Sequence, residues 1–445
     1  MKSLKKRNRF KFIINMVVFR ATLDFLYVFV LGEYYVESYL LSTGLGVFNI
    51  DVNIYKYLLS WVIYIVFLRY LNRKIMITEN KASEILILGL FCMSFTPSIS
   101  LFGLANLHYE YLFYFLIFWG GLLVSNAIIN KEHKKKLVLT KRVSINDNLK
   151  YNLWIFIVVV FSIGVIFISW RVNRLIPNLT LNSESIYLMR SKIKELRLGT
   201  FVEYFRNNAM FIVIPFAAIF YYRKKNVFMF IVLVIVQILL FGIDNQKAAL
   251  FILPASIGAY QFYKKKMVSV VPTGLIILNF IIYFEHLIDK TDFFISNILE
   301  RIYYLPAILS NCYFEFFTGR PPVIPFVSFF SKIGLVSNYE YSEGVPYMIA
   351  AKYFYNPAIS ANTGMFGSAY SYGLVGVIII PITYAILFHL LDRVSEKLEI
   401  RVIISLLIVQ VFVITGATIF VVVSVYGFIT MLVLLSLVNG NKKFN

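Results

Sequence analysis

Long apolar runs separated by short polar breaks dominate this chain. The runs are about 17–22 residues long, the length a helix needs to cross a bilayer core of about 30 Å. Twelve are read, near residues 12–31, 54–71, 84–103, 109–129, 152–169, 208–222, 227–243, 248–262, 267–286, 366–391, 402–416 and 417–438. The last two require a tight turn near Thr415-Gly416. The pattern predicts an all-α polytopic membrane protein, a single integral membrane domain over residues 1–445. Two stretches break the rhythm: a basic one at 170–207 and an aromatic one at 287–365. Both are expected outside the lipid with short helices of their own, where long segments commonly carry function.

Basic clusters then alternate along the chain. Lys2 to Lys11, Arg73/Lys74, Lys134 to Lys136 with Lys141/Arg142, Arg223 to Lys225, Lys264 to Lys266, Arg393/Lys397/Arg401 and Lys442/Lys443 fall on one side if both termini are cytoplasmic. That is the side on which short-loop Lys and Arg collect. The two long stretches then face outward. Ile302–Phe317 is apolar enough to imitate a further span. A crossing there would carry Arg393, Lys397 and Lys442 to the outer side, so this segment is expected to lie on, or pack into, the outer face.

Composition agrees: 59% hydrophobic, 18% aromatic and only 15% charged. The net charge of +20 would suggest nucleic acid on a soluble protein. Here the excess sits in short loops and sets orientation, so the expected partner is the lipid bilayer and no nucleic acid is expected. Lys5, Lys6, Arg7 and Arg9 precede an apolar run that lacks a small-residue cleavage site, so a cleaved signal peptide is not expected. Cys92 falls inside a run and Cys312 outside, which argues against a disulfide. The four His are scattered without HExxH, and no metal or cofactor is expected. There is no GxxxxGK[ST] loop for ATP, and no DxD-like pair in the outer stretches for a metal-bound nucleotide sugar. No internal repeat is visible, which counts against many transporter folds.

Several charges stand out. Arg20 and Asp24 lie four residues apart on one helix face inside the first run. The favoured reading is a mutually neutralised pair facing the bundle; the alternative is a functional intramembrane site. The 170–207 stretch carries Arg171, Arg174, Arg190, Lys192, Lys194, Arg197 and Arg206 against Glu184, Glu195 and Glu203. It suits either a headgroup-facing surface or a site for a lipid-borne pyrophosphate, whose oxygens match the guanidinium fork. Lys247, in the turn Asp244 to Lys247, either snorkels or joins that site. The Tyr and Phe residues of 287–365 serve as an interfacial belt or as platforms for sugar rings. Pro215, Pro254, Pro272 and Pro381 are expected to kink their helices.

The aromatic stretch also has a motif order. Arg301 to Ala307 (RIYYLPA), Tyr313 to Phe317 (YFEFF), Gly344 to Ile349 (GVPYMI), Tyr353-Phe354, Ala361 to Met365 (ANTGM), Ala369-Tyr370 and Gly373 to Gly376 (GLVG) follow one another over 301–376. In that order they resemble the Wzy-type polymerases of O-antigen and capsular repeat units. The resemblance implies a membrane glycosyltransferase of the GT-C type, related in architecture to O-antigen ligases, with its site facing the periplasm or the cell exterior. Its substrate would be undecaprenyl-pyrophosphate-linked oligosaccharide. The growing glycan would pass from its lipid pyrophosphate to a fresh unit, without nucleotide sugar or metal. A chain-length regulator and a flippase are candidate partners. One position departs from the pattern: Ser368 stands where an acidic residue is common in the family.

Such chemistry needs cations at the departing pyrophosphate, a base at the acceptor hydroxyl and aligned sugars. Arg190 and Arg301, helped by Lys247 or Arg320, are assigned to the pyrophosphate. Glu315 is the candidate base. Tyr303, Tyr313, Tyr347, Asn362 and Tyr370 are assigned to sugar. A straight helix over 301–315 would hold Arg301 and Glu315 about 21 Å apart, so the pairing requires a break at Pro306. The alternatives are a lipid-linked oligosaccharide flippase or other transporter, and an O-antigen ligase.

Overall fold

The computed structural model describes residues 2–34, 48–75, 81–136, 146–177, 179, 199–263, 271–288, 292–324, 341, 344–357 and 359–441. The described residues form helices and short connections, with no strand. In chain order the helices are α1 (Lys2–Phe25, prolonged by a wide turn Leu26–Leu31), α2 (Ile54–Ile75), α3 (Ala82–Leu104), α4 (Tyr109–Lys136) and α5 (Asp147–Asn173). They continue as α6 (199–223), α7 (Val227–Asp244), α8 (Lys247–Phe262), α9 (Val271–Ile288) and α10 (293–317). Then come α11 (Val345–Phe354), α12 (Met365–Tyr370), α13 (Gly373–Ser395), α14 (Ile400–Gly416) and α15 (Ile419–Val438).

Eight described helices are long and apolar enough to cross a membrane: α1 to α5, α9, α13 and α15. The described residues of the twelve expected runs are mainly helical, but four of the runs miss that criterion. α7 and α14 are apolar yet too short. α8 has 16 residues, and α6 opens with the polar turn sequence GTFVEYFRNN.

Proline explains much of the local geometry. The ring lacks an N–H and crowds the carbonyl four residues earlier, so a helix can continue only by loosening that turn. Wide π-type turns precede Pro97 (Phe91–Phe95), Pro215 (Ala209–Val213) and Pro306 (Ile295–Tyr304). In each case the carbonyl four residues back lies within the widened segment. Pro272 occupies the first turn of α9, where no hydrogen bond is lost.

Hydrogen bonds gather the basic segments at one end of the bundle. Arg401 donates to the Tyr260 carbonyl at 2.8 Å, and Arg223 pairs with Glu399 at 3.5 Å. The Lys397 amide donates to Asn439 at 3.0 Å, and Asn441 donates to the Asp147 carbonyl at 2.8 Å. Lys81 donates to Asn130 at 2.9 Å, while Ser83 donates from both amide and hydroxyl to Asp392, capping α3. Five interhelical breaks and the C-terminal end of α15 are therefore joined to one another through these contacts.

Inside the bundle, α1 is fastened to α9 by Asn15–Thr273 and Asn279–Thr22 bonds, both 2.8 Å. Arg20 and Asp24 do form a buried pair, at 3.6 Å. Arg20 also donates to the Ser60 carbonyl at 2.8 Å and to its hydroxyl, and lies 4.2 Å from the centre of Trp61. Tyr57 donates to Asp24 at 3.0 Å. Both charges face the protein, as the pairing expectation requires.

Candidate functional site

α10 is the element from which the candidate residues project. It does not figure among the helices apolar and long enough to span; it packs along α1, α3 and α12. Its first half is anchored inward. Tyr303 is fully buried, with its ring 6.1 Å from Phe19. Tyr304 is also buried, against Tyr27, and donates to the Leu23 carbonyl at 2.9 Å. The Glu285 carboxylate caps the start of α10 by accepting the amides of Phe294 (2.7 Å) and Ile295 (2.9 Å).

Pro306 does not break α10. Leu305 keeps helical dihedrals (φ −58, ψ −43), so the widened turn runs directly into Leu305–Phe317. Arg301, exposed on the first half, therefore stays well separated from Glu315, exposed on the last turn. The expected convergence of these two on one reacting carbon is not formed, because the wide turn absorbs the proline and the helix continues through it.

The second half of α10 gathers the rest of the motif. Tyr313 donates to the Ala361 carbonyl at 3.0 Å, and Ser310 meets the Thr363 hydroxyl at 3.4 Å. The Ala361 amide donates to the Pro346 carbonyl at 3.1 Å, and the Val323 amide to the Ser371 carbonyl at 2.7 Å. Gly364 lets the chain pass against α14: a Cβ there would overlap the Thr415 carbonyl oxygen. Segments up to about fifty residues apart in sequence are thus one packed unit.

An open cleft of about 330 Å³ lies on this unit. Tyr114, Phe317 and Tyr370 supply rings, Pro322 and Leu374 aliphatic walls, and Arg320 the charged rim. Gly373, at φ +67, leaves room for Pro322 to close one side. Tyr370 is held by Phe314 (4.8 Å) and Tyr114 (5.2 Å) between ring centres. The Thr318 hydroxyl donates its proton to the Phe314 carbonyl at 2.7 Å. The Thr318 hydroxyl also lies 3.4 Å from the Tyr370 phenol oxygen, a contact in which either group can donate.

Arg320 is the one charged residue that lines the cleft, and further charges lie on neighbouring residues. Arg320 lies 4.3 Å and Lys352 5.6 Å from the centre of the Phe316 ring, so the two cations stand within about 10 Å of each other. Glu315 accepts from Asn311 at 2.7 Å, which leaves its second oxygen available. Tyr353 adjoins the cluster; burial, then Glu315, raises its hydroxyl pKa, with Arg320 opposing. Glu110, at the start of α4, is near enough to Tyr370 to interact electrostatically.

The other expected residues fall elsewhere. Arg190 lies outside the described residues. Lys247 opens α8, whose Phe251 ring is 6.1 Å from Phe293, so it stands beside the beginning of α10 and not by the cleft. Tyr347 and Asn362 are exposed on the same packed unit. Tyr303 and Tyr313 present no open face to a sugar here, being buried with their rings in the core.

Lys352, Tyr114 and Glu110 were not singled out by the sequence. Lys352 had a signal, as the one charge in the apolar run VPYMIAAKYF. Tyr114 and Glu110 had none, since they belong to a helix distant in sequence from the motif. Among the described residues, no group of three or more His, Cys, Asp or Glu is placed to hold a metal ion. Comparison with family models, with curated proteins and with solved structures gives no match.

Proposed function

We propose that this protein is a Wzy-type polymerase of lipid-linked oligosaccharide repeat units, built on about twelve transmembrane helices in a GT-C-like arrangement. Both termini are cytoplasmic in this reading, and the cleft faces the outer side of a bacterial cytoplasmic membrane. The observation that carries it is the convergence of the ordered motifs of 301–376 on one packed unit, whose cleft has aromatic walls and Arg320 at its rim. Rings offer an apolar face to a pyranose, and the guanidinium and the Tyr370 phenol offer bonds to its hydroxyls.

The chemistry divides along α10. Arg320, on the Glu315 side of α10, is assigned to the departing pyrophosphate, whose developing charge cations stabilise. Arg301, with Lys247 and Arg190, is assigned to the pyrophosphate of the incoming unit, a repeat unit away from its reacting hydroxyl. Glu315 is assigned to the acceptor side, where a carboxylate in hydrogen-bond reach accepts the hydroxyl proton as the new glycosidic bond forms. The anomeric C–O bond to pyrophosphate breaks in the same displacement, and lipid pyrophosphate leaves.

The test is a gel of surface glycan from a deletion strain. Single repeat units capped on the final acceptor are expected, with polymer restored by the intact gene. Units trapped inside the cell would indicate a flippase, and long polymer left on the lipid carrier a ligase.

A further inference from the structure

α15 is interrupted within its length. An outer half, Ile419–Ser424, and an inner half, Phe428–Val438, are joined by Val425, Tyr426 and Gly427. Gly427 stands at φ +74, a left-handed conformation that glycine adopts readily. The inner half rises about 16 Å, so the break falls about half-way through a bilayer core of about 30 Å. Lipid offers no partner there to a freed carbonyl. One side chain offers it instead. The Asn208 amide donates to the Ser424 and Val425 carbonyls, both at 3.0 Å, and its oxygen accepts from the Thr430 hydroxyl. A Cβ at Gly427 would overlap that oxygen, so the turn and its staple are fitted to each other. α6 loosens at the same level, since its wide turn Ala209–Val213 begins next to Asn208. Turns of that width recur at functional sites in helices.

The outer half is weakly held by comparison. Its six residues, IFVVVS, are too few to be stable as an isolated helix, and its valines lose rotamer freedom there. It enters from extended backbone at Ala417 (φ −140, ψ 153) and Thr418 (φ −67, ψ 155). Its main neighbours are α14 and the inner half, to which it is already joined, whereas the inner half packs on α5, α6 and α13. Toward the site, the Phe420 ring lies 6.3 Å from that of Tyr372, centre to centre. Gly373 and Leu374, which follow Tyr372, line the cleft.

We propose that Ile419–Ser424 is a hinged strap, pivoting at Ala417-Thr418 and at Val425–Gly427, whose movement shifts the Tyr372 edge of the cleft. Hinges are a few residues at element ends that absorb the change in dihedral angles, and both links have that form. Asn208 holds the inner pivot, and the contact of Phe420 with Tyr372 carries the movement to the cleft. The inference concerns movement and holds whatever the cleft binds.

Hydrogen–deuterium exchange of the full-length protein in phosphatidylcholine nanodiscs tests it. The reference is residues 408–415 of α14, which the Gly416–Thr418 link places at the same depth. Amides of 419–424 are expected to exchange at least about tenfold faster than this reference, as a locally opening unit does. Asn208→Ala should raise their rate by roughly a further tenfold, and Thr430→Val severalfold, with 408–415 as in the parent. Should Asn208→Ala fail to fold, Thr430→Val carries the comparison. Tyr372→Ala should also raise the rate in 419–424, from the cleft side. Equal protection of 419–424 and 408–415 overturns the strap, as does a rise shared by all of α14. No response to Tyr372→Ala overturns its link to the cleft. The exchange rates do not depend on the surface-glycan gel, so failure of this inference and failure of the polymerase reading are distinguishable.

Discussion

Two clusters in this molecule use the same residue types for opposite ends. Arg20 and Asp24 sit inside the bundle, with Tyr57, Ser60, Trp61 and Tyr64 around them. Arg320 sits at the rim of a cleft and over the Phe316 ring, with Lys352 on the same ring and Glu315 close by on α10. In the first, every charge is spent on a neighbouring helix. In the second, Arg320 stacks on a ring while its guanidinium remains exposed, and Glu315 binds only through one oxygen to Asn311. A buried pair cannot lose one partner cheaply, because the other is left charged in a medium that does not solvate it. Charges exposed to water contribute little to stability and are free to meet a ligand.

The largest expected effect follows from that contrast. Asp24→Ala leaves Arg20 enclosed without its carboxylate, and a loss of about 3–5 kcal/mol is expected. Thermal unfolding of the purified protein in detergent checks it. Arg20→Met combined with Asp24→Leu should recover most of the loss. A fully stable Asp24→Ala protein would break the distinction between the clusters.

Glu315→Gln is expected to do the reverse. Its unfolding should stay within about 0.5 kcal/mol of the parent. Polymerisation should fall roughly 100-fold, the lower range for a general base. Polymer length at matched expression is the measurement, and full activity would remove Glu315 as the base. Arg301→Ala and Arg190→Ala are read in the same assay. Normal polymer from both would remove them from the pyrophosphate.

Gly364→Ala sharpens the comparison from the side of packing. The added methyl meets the Thr415 carbonyl, a backbone atom that cannot swing away. Destabilisation of about 1–3 kcal/mol is expected, with loss of polymer from an assembled but distorted cleft. Unchanged unfolding would mean that the close approach of α12 to α14 is not needed to form the site.

Much of this was legible in the chain. Apolar run length gave the helices, and the positions of Lys and Arg gave the end of the bundle where Arg223, Arg401 and Lys397 meet their partners. The spacing of Arg20 and Asp24 gave their pairing. The response to proline was less legible: a kink and a widened turn use the same residue, and neighbouring helices decide between them at Pro215 and Pro306. Lys352 meets the Phe316 ring, and Tyr114 the cleft, through tertiary packing, which no local pattern encodes. The tyrosines show the limit most clearly. Tyr303, Tyr313 and Tyr370 look alike in a motif, yet two are core and one lines the cleft.

That limit supplies the smallest test. Tyr304→Phe removes a hydroxyl that donates to the Leu23 carbonyl in the interior. Tyr370→Phe removes one that faces the cleft and Thr318. The first loses a buried hydrogen bond of about 1 kcal/mol, the second only a long, exposed contact of 3.4 Å. Tyr304→Phe should lower unfolding stability by that amount and leave polymer length as it was. Tyr370→Phe should unfold as the parent does, while weakening glycoside binding several-fold with the ring still in place. The order of effects matters more than their size. If Tyr304→Phe shortened polymer without loss of stability, the inward half of α10 would be coupled to the chemistry, and the division of that helix into an anchor and a site would fail.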